Sequence, residues 1–274
     1  MMAQKGNQIG IEMYRAPVPL TQHVRSSNNT LTTWDDFQAC GVSKSNISDM
    51  YKTSFSNTTP DAIHLNDSFT NNYGWDSFNI LGDTIVENQS ISPMFSVAYS
   101  QYTRNEDPQE TINPTFTLTA SHEKSATVSV SQTSNIGYQQ TITIGAPELG
   151  LGSEFSTSFN ITNESGSSST TSTTLTISQL AQPRVPPLSK VLVTFKLLWT
   201  SNTCTWRIPI RIDPYGLTGA QFPKAVPPTS GGSNHYYWAL YNNSFGDLRS
   251  EMRGKMDASY DIQGLMTYGA PEPL

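Results

Sequence analysis

The sequence is poor in charged residues and in long apolar runs, and each shortage excludes a class of protein. Charged side chains make up 14% of the 274 residues, the net charge is −6, and no acidic or basic block is present. Without a basic stripe to neutralise phosphates, we expect no nucleic-acid partner. No run of about 18 apolar residues occurs, so the sequence predicts no membrane-spanning helix.

Cysteine is scarce as well, with only Cys40 and Cys204, which lie far apart in the chain. One long-range disulfide is compatible with the sequence, but two buried free thiols are the interpretation that we favour. Residues 1–20 lack the apolar core of about 7–15 residues that marks a signal peptide. We therefore expect synthesis without a signal peptide.

Motifs of enzymes and of metal sites are missing from the sequence. It has no nucleophile elbow, P-loop, zinc-protease motif or Cys-x-x-Cys motif. None of its four histidines has a close Cys or His at the spacing of metal ligands. The histidines are His23, His64, His122 and His235. We therefore expect no enzymatic activity, no catalytic residue, no metal and no cofactor.

Serine and threonine are abundant instead, with 34 and 32 residues. Both are poor formers of helix interiors, and threonine favours strands. Because they alternate with apolar residues and do not form repeats, the composition predicts a mainly β protein with long, polar-faced strands. Short helices are expected near 34–40 and 44–52, with Asp or Ser as N-caps.

Several further segments have the pattern of strands. Residues 92–119 read as two strands around a charged turn, and residues 252–269 read as a short closing strand pair. A dense apolar hairpin is predicted over 191–212, with its turn at 200–203. The aromatic, turn-rich segments 1–90 and 213–247 predict a small head, from which the chain enters an elongated β-body and returns.

The longest regular pattern begins at Phe116. Up to Ala146 the apolar side chains lie at even positions, and beyond the turn Pro147-Glu148 they lie at odd positions. A hairpin with this turn pairs residues whose numbers add to 295, for example Ile144 with Leu151. Its predicted membrane-facing residues are Ile136, Tyr138, Ile142, Ile144, Ala146, Leu149, Leu151, Phe155, Phe159 and Ile161. Its predicted lumen-facing residues are Gln139, Thr141, Thr143, Glu154, Ser156 and Ser158.

Two interpretations fit this alternation. In the ordinary one, the apolar face packs on a core and the polar face meets water. Membrane insertion is favoured because residues 125–147 carry no charge and because the strands exceed the usual length of about five or six residues. Eleven residues at about 3.3 Å, tilted by about 40°, also span about 28 Å, close to an apolar band of about 25 Å. An inserted hairpin would leave its edges unpaired in lipid, so insertion implies a barrel closed by other copies of the chain.

Three segments of the sequence together resemble those of a known family. The order NEDPQETINPTFTLTASHEKSATVSVSQTSNIGYQQTITIGAPELG, SFNITNESGSSSTTSTTLTISQL and KVLVTFKLLWTSNTCTWRIPIRI resembles the epsilon-toxin/mosquitocidal-toxin branch of the aerolysin-type β-pore-forming toxins. The shared features are a Ser/Thr strand, a Pro-containing amphipathic tip, a second Ser/Thr strand and a Val-rich strand pair. The resemblance covers residues 90–212 and 250–265.

The resemblance implies a fold and a mode of action. The fold would be mainly β, an elongated aerolysin-type architecture of long antiparallel strands with a small aromatic-rich head. The protein would bind a surface receptor (protein, glycan or lipid), be trimmed by a protease, form a homo-oligomeric ring and insert one hairpin per subunit into the target-cell membrane. The inserting hairpin falls on residues 125–172, with its tip at 145–150. The lack of a signal peptide departs from the secreted members of the family and fits better its inclusion-body members from sporulating bacilli, including the parasporins. This implies storage in a spore-associated inclusion and action on cells from outside.

The predicted domains follow from this implied architecture. A receptor-binding head comprises 1–90 and 213–247, and a pore-forming and oligomerisation body comprises 91–212 and 248–274. Aromatic residues dominate binding hot spots, although packing inside a small head would also explain them. The candidate receptor-binding residues are Tyr73, Trp75, Tyr236, Tyr237, Trp238 and Tyr241.

Protease processing and an alternative function complete the expectations. Cleavage is expected in a basic loop at Arg249, Arg253 and Lys255, or in either tail, where disorder is common. The C-terminal tail 269–274 is expected to be flexible. The alternative function is that of a non-lytic, carbohydrate-binding β-sandwich lectin or adhesin, whose alternating strands would form an ordinary sheet.

Overall fold

The computed structural model describes residues 29–138, 140–224 and 234–274, and the described chain is mainly β, as predicted. Gln139, one of the predicted lumen-facing residues, lies outside the described residues, as do residues 1–28. The strands are β1 (Thr30–Leu31), β2 (Ala62–His64), β3 (Phe78–Leu81), β4 (Ile85–Asn105), β5 (Phe116–Gln132), β6 (Ile142–Gly145), β7 (Ser158–Ile161), β8 (Ser168–Ala181), β9 (Ser189–Ile212), β10 (Leu217–Pro223), β11 (His235–Tyr241), β12 (Arg249–Tyr268) and β13 (Glu272–Pro273).

The helices are short and lie near the start of the described chain. They are α1 (Trp34–Ala39), α2 (Lys44–Ser54) and α3 (Ser68–Tyr73). The first two confirm the predicted helices, and Thr33 and Ser43 cap them by accepting hydrogen bonds from backbone N–H groups in the first turn. No helix in the described ranges has the length and apolar character needed to cross a membrane.

One long antiparallel sheet forms the body of the molecule. Its strand order is β1-β3-β9-β12-β5-β8. Strand β4 pairs with β9 on the side away from β12, and β13 pairs with the start of β9 on the same side as β12. The strands β4, β9 and β12 have 21, 24 and 20 residues. Their length makes the fold elongated, which confirms the predicted architecture.

Strand β9 corrects one prediction, because no turn interrupts it. Residues 200–203 remain in the strand and pair with 90–93 of β4 and with 257–260 of β12. The apolar side chains change from odd positions before Trp199 to even positions after Cys204, since the strand passes from one packed face to the other. The predicted closing strand pair is likewise one strand, β12, with an irregularity between Tyr260 and Gln263.

The smaller sheet joins two distant parts of the sequence. Its order is β11-β10-β2, so residues 62–64 pair with 219–221 of β10, which pairs with β11 on its other side. The predicted head includes both parts, and its division from the body stays a prediction. The tail prediction is wrong, because β13 pairs with β9 and the Leu274 N–H donates to the Leu188 carbonyl.

The hydrophobic core lies between β9, β12 and the segments packed upon them. Trp206, Ile208 and Ile210 of β9 are buried in it beside Met252 and Met256 of β12. Both cysteines are free thiols, as favoured from the sequence, but only Cys204 is buried and Cys40 is half-buried. Burial, assisted by nearby carboxylates, raises the pKa of Cys40 and of Cys204 to about 11.

Candidate functional site: a folded hairpin against the body

The described part of residues 131–167, which excludes Gln139, lies folded on the body, with its two faces separated as the sequence predicts. The ten predicted apolar residues are all buried, with relative exposures from 0% to 5%. They are Ile136, Tyr138, Ile142, Ile144, Ala146, Leu149, Leu151, Phe155, Phe159 and Ile161. The polar residues Thr141, Thr143, Glu154, Ser156 and Ser158 are exposed. In this structure, therefore, the apolar face packs on a core and the polar face meets solvent.

The pairing inside this segment differs from the predicted hairpin. Strands β6 and β7 pair Ile144 with Phe159 and Ile142 with Ile161, so their residue numbers add to 303 and not to 295. Residues 146–157 form a long tip between them, which begins with a 3₁₀ turn at Pro147–Leu149. The predicted two-residue turn at Pro147-Glu148 is therefore wrong, because the chain forms a four-residue loop over 147–150, closed by Gly150 in the left-handed conformation, and six further residues, 152–157, lie between Leu151 and β7.

A buried carboxylate fixes the start of the segment. The Gly137 N–H donates to Asp36 Oδ1 at 2.6 Å, and Asn79 Nδ2 donates both to Asp36 Oδ2 at 3.0 Å and to the Gly137 carbonyl at 2.7 Å. Asp36 also closes the N-terminus of α1 by accepting from the Thr33 N–H at 2.8 Å. One side chain thus stabilises both a helix start and an irregular piece of backbone that no sheet partner satisfies.

Asparagine side chains replace sheet pairing nearby. Asn163 Oδ1 accepts from the Ser134 N–H at 2.7 Å, and Asn163 Nδ2 donates to the Ser134 and Ile136 carbonyls. The Asn135 N–H donates to the Ser250 hydroxyl at 2.9 Å. Because side chains bind these backbone groups, Ser134, Asn135 and Ile136 have hydrogen-bond partners although they lie outside any strand.

The tip is held to the body by a few side chains. Lys124 of β5 forms an ion pair with Glu154, and its ammonium lies 5.1 Å from the centre of the Phe155 ring. Phe155 in turn packs edge-on against Tyr260 of β12, with 6.2 Å between ring centres. The exposed side of the tip thus has polar and cationic contacts, while Leu149 and Leu151 are buried beneath it.

Half of the candidate receptor-binding residues come together in one aromatic cluster. Tyr73 stacks on Trp75 at 4.7 Å, and Tyr237 lies 5.0 Å from Phe69 and 5.8 Å from Tyr73. His64 stacks on Phe69 at 4.2 Å, and its Nδ1 is hydrogen-bonded to Asp67 Oδ2 at 2.8 Å. Burial, and to a lesser degree Tyr237, raises the pKa of Tyr73. The cluster presents half-buried rings around a buried Trp75.

The other three candidates lie elsewhere on β11. Trp238 is 9% exposed and packs 4.2 Å from Phe55, so it belongs to the core. Tyr236 is half-buried and lies under the ammonium of Lys224 at 5.2 Å. Tyr241 is half-buried at the end of the strand. The half-buried tyrosines can therefore contact a partner at the surface, whereas Trp75 and Trp238 are buried.

The basic residues expected in a protease-sensitive loop lie in a strand instead. Arg249, Arg253 and Lys255 belong to β12, which pairs with β9 at all three positions. Arg253 and Lys255 also face β5 on the other side. The prediction of a loop is wrong, because the basic residues occupy exposed positions of an alternating central strand whose apolar partners are buried.

The fold has known relatives among solved structures. Parasporin-2, a Bacillus thuringiensis toxin that recognises cancer cells, matches 90% of this chain and 99% of its own at 20% identity, with a TM-score of 0.56. The chain has the aerolysin-type toxin fold. The predicted fold is thereby confirmed.

Other solved structures are less similar to this chain. A non-toxic crystal protein from Bacillus thuringiensis matches at 11% identity with a TM-score of 0.45, covering 83% of this chain and 94% of its own. The aerolysin-like protein of Bombina maxima matches at 13% identity with a TM-score of 0.35, covering 72% and 99%. No family model and no curated protein matches the sequence.

Sequence reasoning missed the residues that hold the aerolysin-type hairpin in its folded position. The contacts of Asp36 and Asn79 with Gly137 join residues 101 and 58 positions apart. The contacts of Asn163 with Ser134 and Ile136 join residues 29 and 27 positions apart. The only local signal was the capping pattern Thr33-x-x-Asp36 before α1, which predicts a helix start and not a contact with Gly137. Lys124 is unusual in the sequence itself, because it places a cation at an even position of β5, where most other residues are apolar.

Proposed function

We propose that this protein is a pore-forming toxin that oligomerises on target-cell membranes and inserts its 125–172 hairpin as part of a transmembrane β-barrel. The observation that carries the proposal is the segregation of the hairpin into ten buried apolar side chains and an exposed polar face. Residues 125–147 contain no charge that would oppose insertion. The aerolysin-type fold, shared with a toxin, supports the same conclusion.

The energetics restrict where the hairpin can go. Eight of the ten buried residues are Ile, Leu or Phe, and exposing each to water costs about 1.5–3 kcal/mol. Release into water would therefore cost on the order of 15 kcal/mol, comparable to the whole stability of a domain. A lipid bilayer removes this cost because the side chains pass from one apolar environment to another.

Self-association is supported by the edges of the long sheet. In the described part of the chain β8 pairs only with β5, and β4 pairs only with β9. Residues 88–103 of β4 and all of β8 carry no charged side chain. Charges and prolines on edge strands normally prevent pairing between copies, and Pro93 is the one such residue on these two stretches. Both edges are therefore suited to contacts within a ring of identical subunits.

Target recognition is proposed for the head. The half-buried rings of Tyr73 and Tyr237 form, with Phe69, an aromatic surface of the kind that dominates binding sites. Its receptor is a protein, glycan or lipid of the cell surface. We retain the predicted division into a head of 1–90 with 213–247 and a body of 91–212 with 248–274, with action on cells from outside and storage in an inclusion.

The aromatic cluster also favours a second candidate function. Planar aromatic rings at a surface are suited to the apolar faces of sugars, so a non-lytic lectin or adhesin would use the same cluster and leave the hairpin folded. Dye-loaded vesicles and intact cells distinguish the two functions. A pore former releases dye and lyses cells, whereas a lectin agglutinates cells without release of dye, and that result would overturn the proposal.

A further inference from the structure

The β5–β8 ladder and the tip at 146–151 have the same register, whereas the β6–β7 ladder between them has a different one. In the ladder of β5 with β8, paired residue numbers add to 297 from Phe116 with Ala181 to Ser129 with Ser168. The Val130 N–H continues it by donating to the Ser167 carbonyl at 2.8 Å. Between β6 and β7 the numbers add to 303, so the two ladders are six residues out of register.

The tip already has the register of the β5–β8 ladder. The Leu151 N–H donates to the Ala146 carbonyl at 3.1 Å, and the Gly150 N–H donates to the Pro147 carbonyl at 3.1 Å. Both bonds join residues whose numbers add to 297. Gly150 has a φ of 77°, as a compact four-residue loop of this kind requires. The tip is therefore preformed as the end of a hairpin that continues β5 and β8.

Each strand of the folded hairpin has six residues that its partner strand does not match, and the two sets of six lie at different places. Between the ladders the first strand has residues 131–141 and the second has residues 162–166, a difference of six. Between the 146–151 tip and β7 the second strand has six further residues, 152–157, for which the first strand has no counterpart. A slide of six residues between β6 and β7 removes both irregularities together.

From these three observations we infer that membrane insertion proceeds by a six-residue register shift of β6 against β7, which joins residues 116–147 and 150–181 into one continuous hairpin. The inference rests on the proposed function. Because six is even, every side chain keeps its face. The apolar face then pairs Ile136 with Ile161, Tyr138 with Phe159 and Ile142 with Phe155.

The shift also explains the polar contacts of the folded form. Lys124 must release Glu154, because in the continuous ladder Lys124 stays opposite Thr173 while Glu154 comes opposite Thr143. The Asp36 and Asn163 contacts must break as well, since their backbone partners at 134–137 become sheet residues. These side chains therefore oppose the shift until a membrane compensates for their loss.

Pairs of cysteines on the exposed polar face test the register directly. In a background with Cys40→Ser and Cys204→Ser, Thr143→Cys with Asn160→Cys reports the register of 303, and Thr141→Cys with Ser156→Cys reports 297. The pair Thr141→Cys with Glu154→Cys reports 295, the register of a two-residue turn. Each variant is oxidised in solution and again after incubation with dye-loaded vesicles of phosphatidylcholine, sphingomyelin and cholesterol, and the linked peptides are identified by mass spectrometry.

We expect the 143–160 disulfide in solution and the 141–156 disulfide in vesicles that have released their dye. Dye release accompanied by the 143–160 or 141–154 disulfide in the vesicle-bound protein would overturn the register shift while leaving the proposed function intact. No release of dye from any variant or from the cysteine-free background would contradict the proposed function and the register shift with it.

Discussion

Lys124 and Glu154 form an ion pair that joins strand β5 of the body to the tip of the hairpin. Their side chains are 27% and 42% exposed. A pair this accessible to water contributes at most about 1 kcal/mol to stability. It therefore restrains the position of the tip far more than it stabilises the protein as a whole.

Glu154→Gln should release the tip without unfolding the protein. We expect amide hydrogen exchange in 146–157 to become faster, because the Lys124 contact is lost, while the free energy of unfolding changes by less than about 1 kcal/mol. Glu123→Gln is the matched control, since it removes the same charge from an exposed position of β5. Equal exchange in the two variants would show that the ion pair does not restrain the tip.

Asp36→Ala should destabilise the protein through the groups that it leaves unsatisfied. The Gly137 N–H, the Thr33 N–H and the Asn79 amide all donate to this buried carboxylate. We expect the free energy of unfolding to fall by about 2–3 kcal/mol in a urea titration. The exposed neighbour Asp35 provides the control, because Asp35→Ala should change it by no more than about 0.5 kcal/mol. Similar losses in both variants would contradict the role of Asp36.

Gly254→Ala tests how closely β12 packs between its neighbours. A Cβ atom at Gly254 would overlap the Trp206 ring and the Ser129 carbonyl oxygen. Because a backbone oxygen cannot rotate away, we expect a loss of about 3 kcal/mol in the free energy of unfolding. At Gly145 an added Cβ meets only the Glu148 side chain at 3.4 Å, so Gly145→Ala should be nearly neutral. If Gly254→Ala left the free energy of unfolding unchanged, β12 would have to lie farther from β9 and β5 than it does in the structure.

The two cysteines predict a pH dependence. With the pKa of both thiols raised to about 11, the thiolate fraction of the folded protein at pH 8 is about one thousandth. Labelling by a disulfide reagent should be slow at pH 8 in the folded protein and fast in urea. The stabilisation from the raised pKa is complete below about pH 8.5, the pKa of an unfolded thiol, and is lost as the pH rises through about 11. Rapid labelling of the folded protein at pH 8 would contradict this burial.

The separation of the hairpin faces could be predicted from the sequence because side-chain direction in a strand depends only on parity. Ile136 and Phe159 are buried, and Thr143 and Ser158 are exposed, and any change of register by an even number of residues leaves these side chains on the same faces. The register itself depends on distant contacts. Asn163 and Asp36 replace ladder bonds around 134–137 and hold β6 and β7 out of register with β5 and β8. No local pattern encodes those contacts.

Strand β9 shows a second limit of the local pattern. The change of parity between Trp199 and Cys204 has the same appearance in sequence whether the chain turns or the strand continues with its other face buried. The strand continues because its middle pairs with β4, about a hundred positions earlier in the chain, and with β12, about sixty positions later. The periodicity of a sequence does not show which distant strands pair. The same reason explains why the closing strand pair is one strand.

Tethering the hairpin to the body tests the central claim most directly. Ser250 Oγ lies 2.9 Å from the Asn135 nitrogen, which brings positions 135 and 250 within reach of a disulfide. In a background with Cys40→Ser and Cys204→Ser, oxidised Asn135→Cys/Ser250→Cys protein should release no dye from vesicles, and reduction should restore the release seen with Asn135→Cys alone. Equal dye release by the oxidised and reduced double variant would show that the hairpin does not leave the body to form a pore.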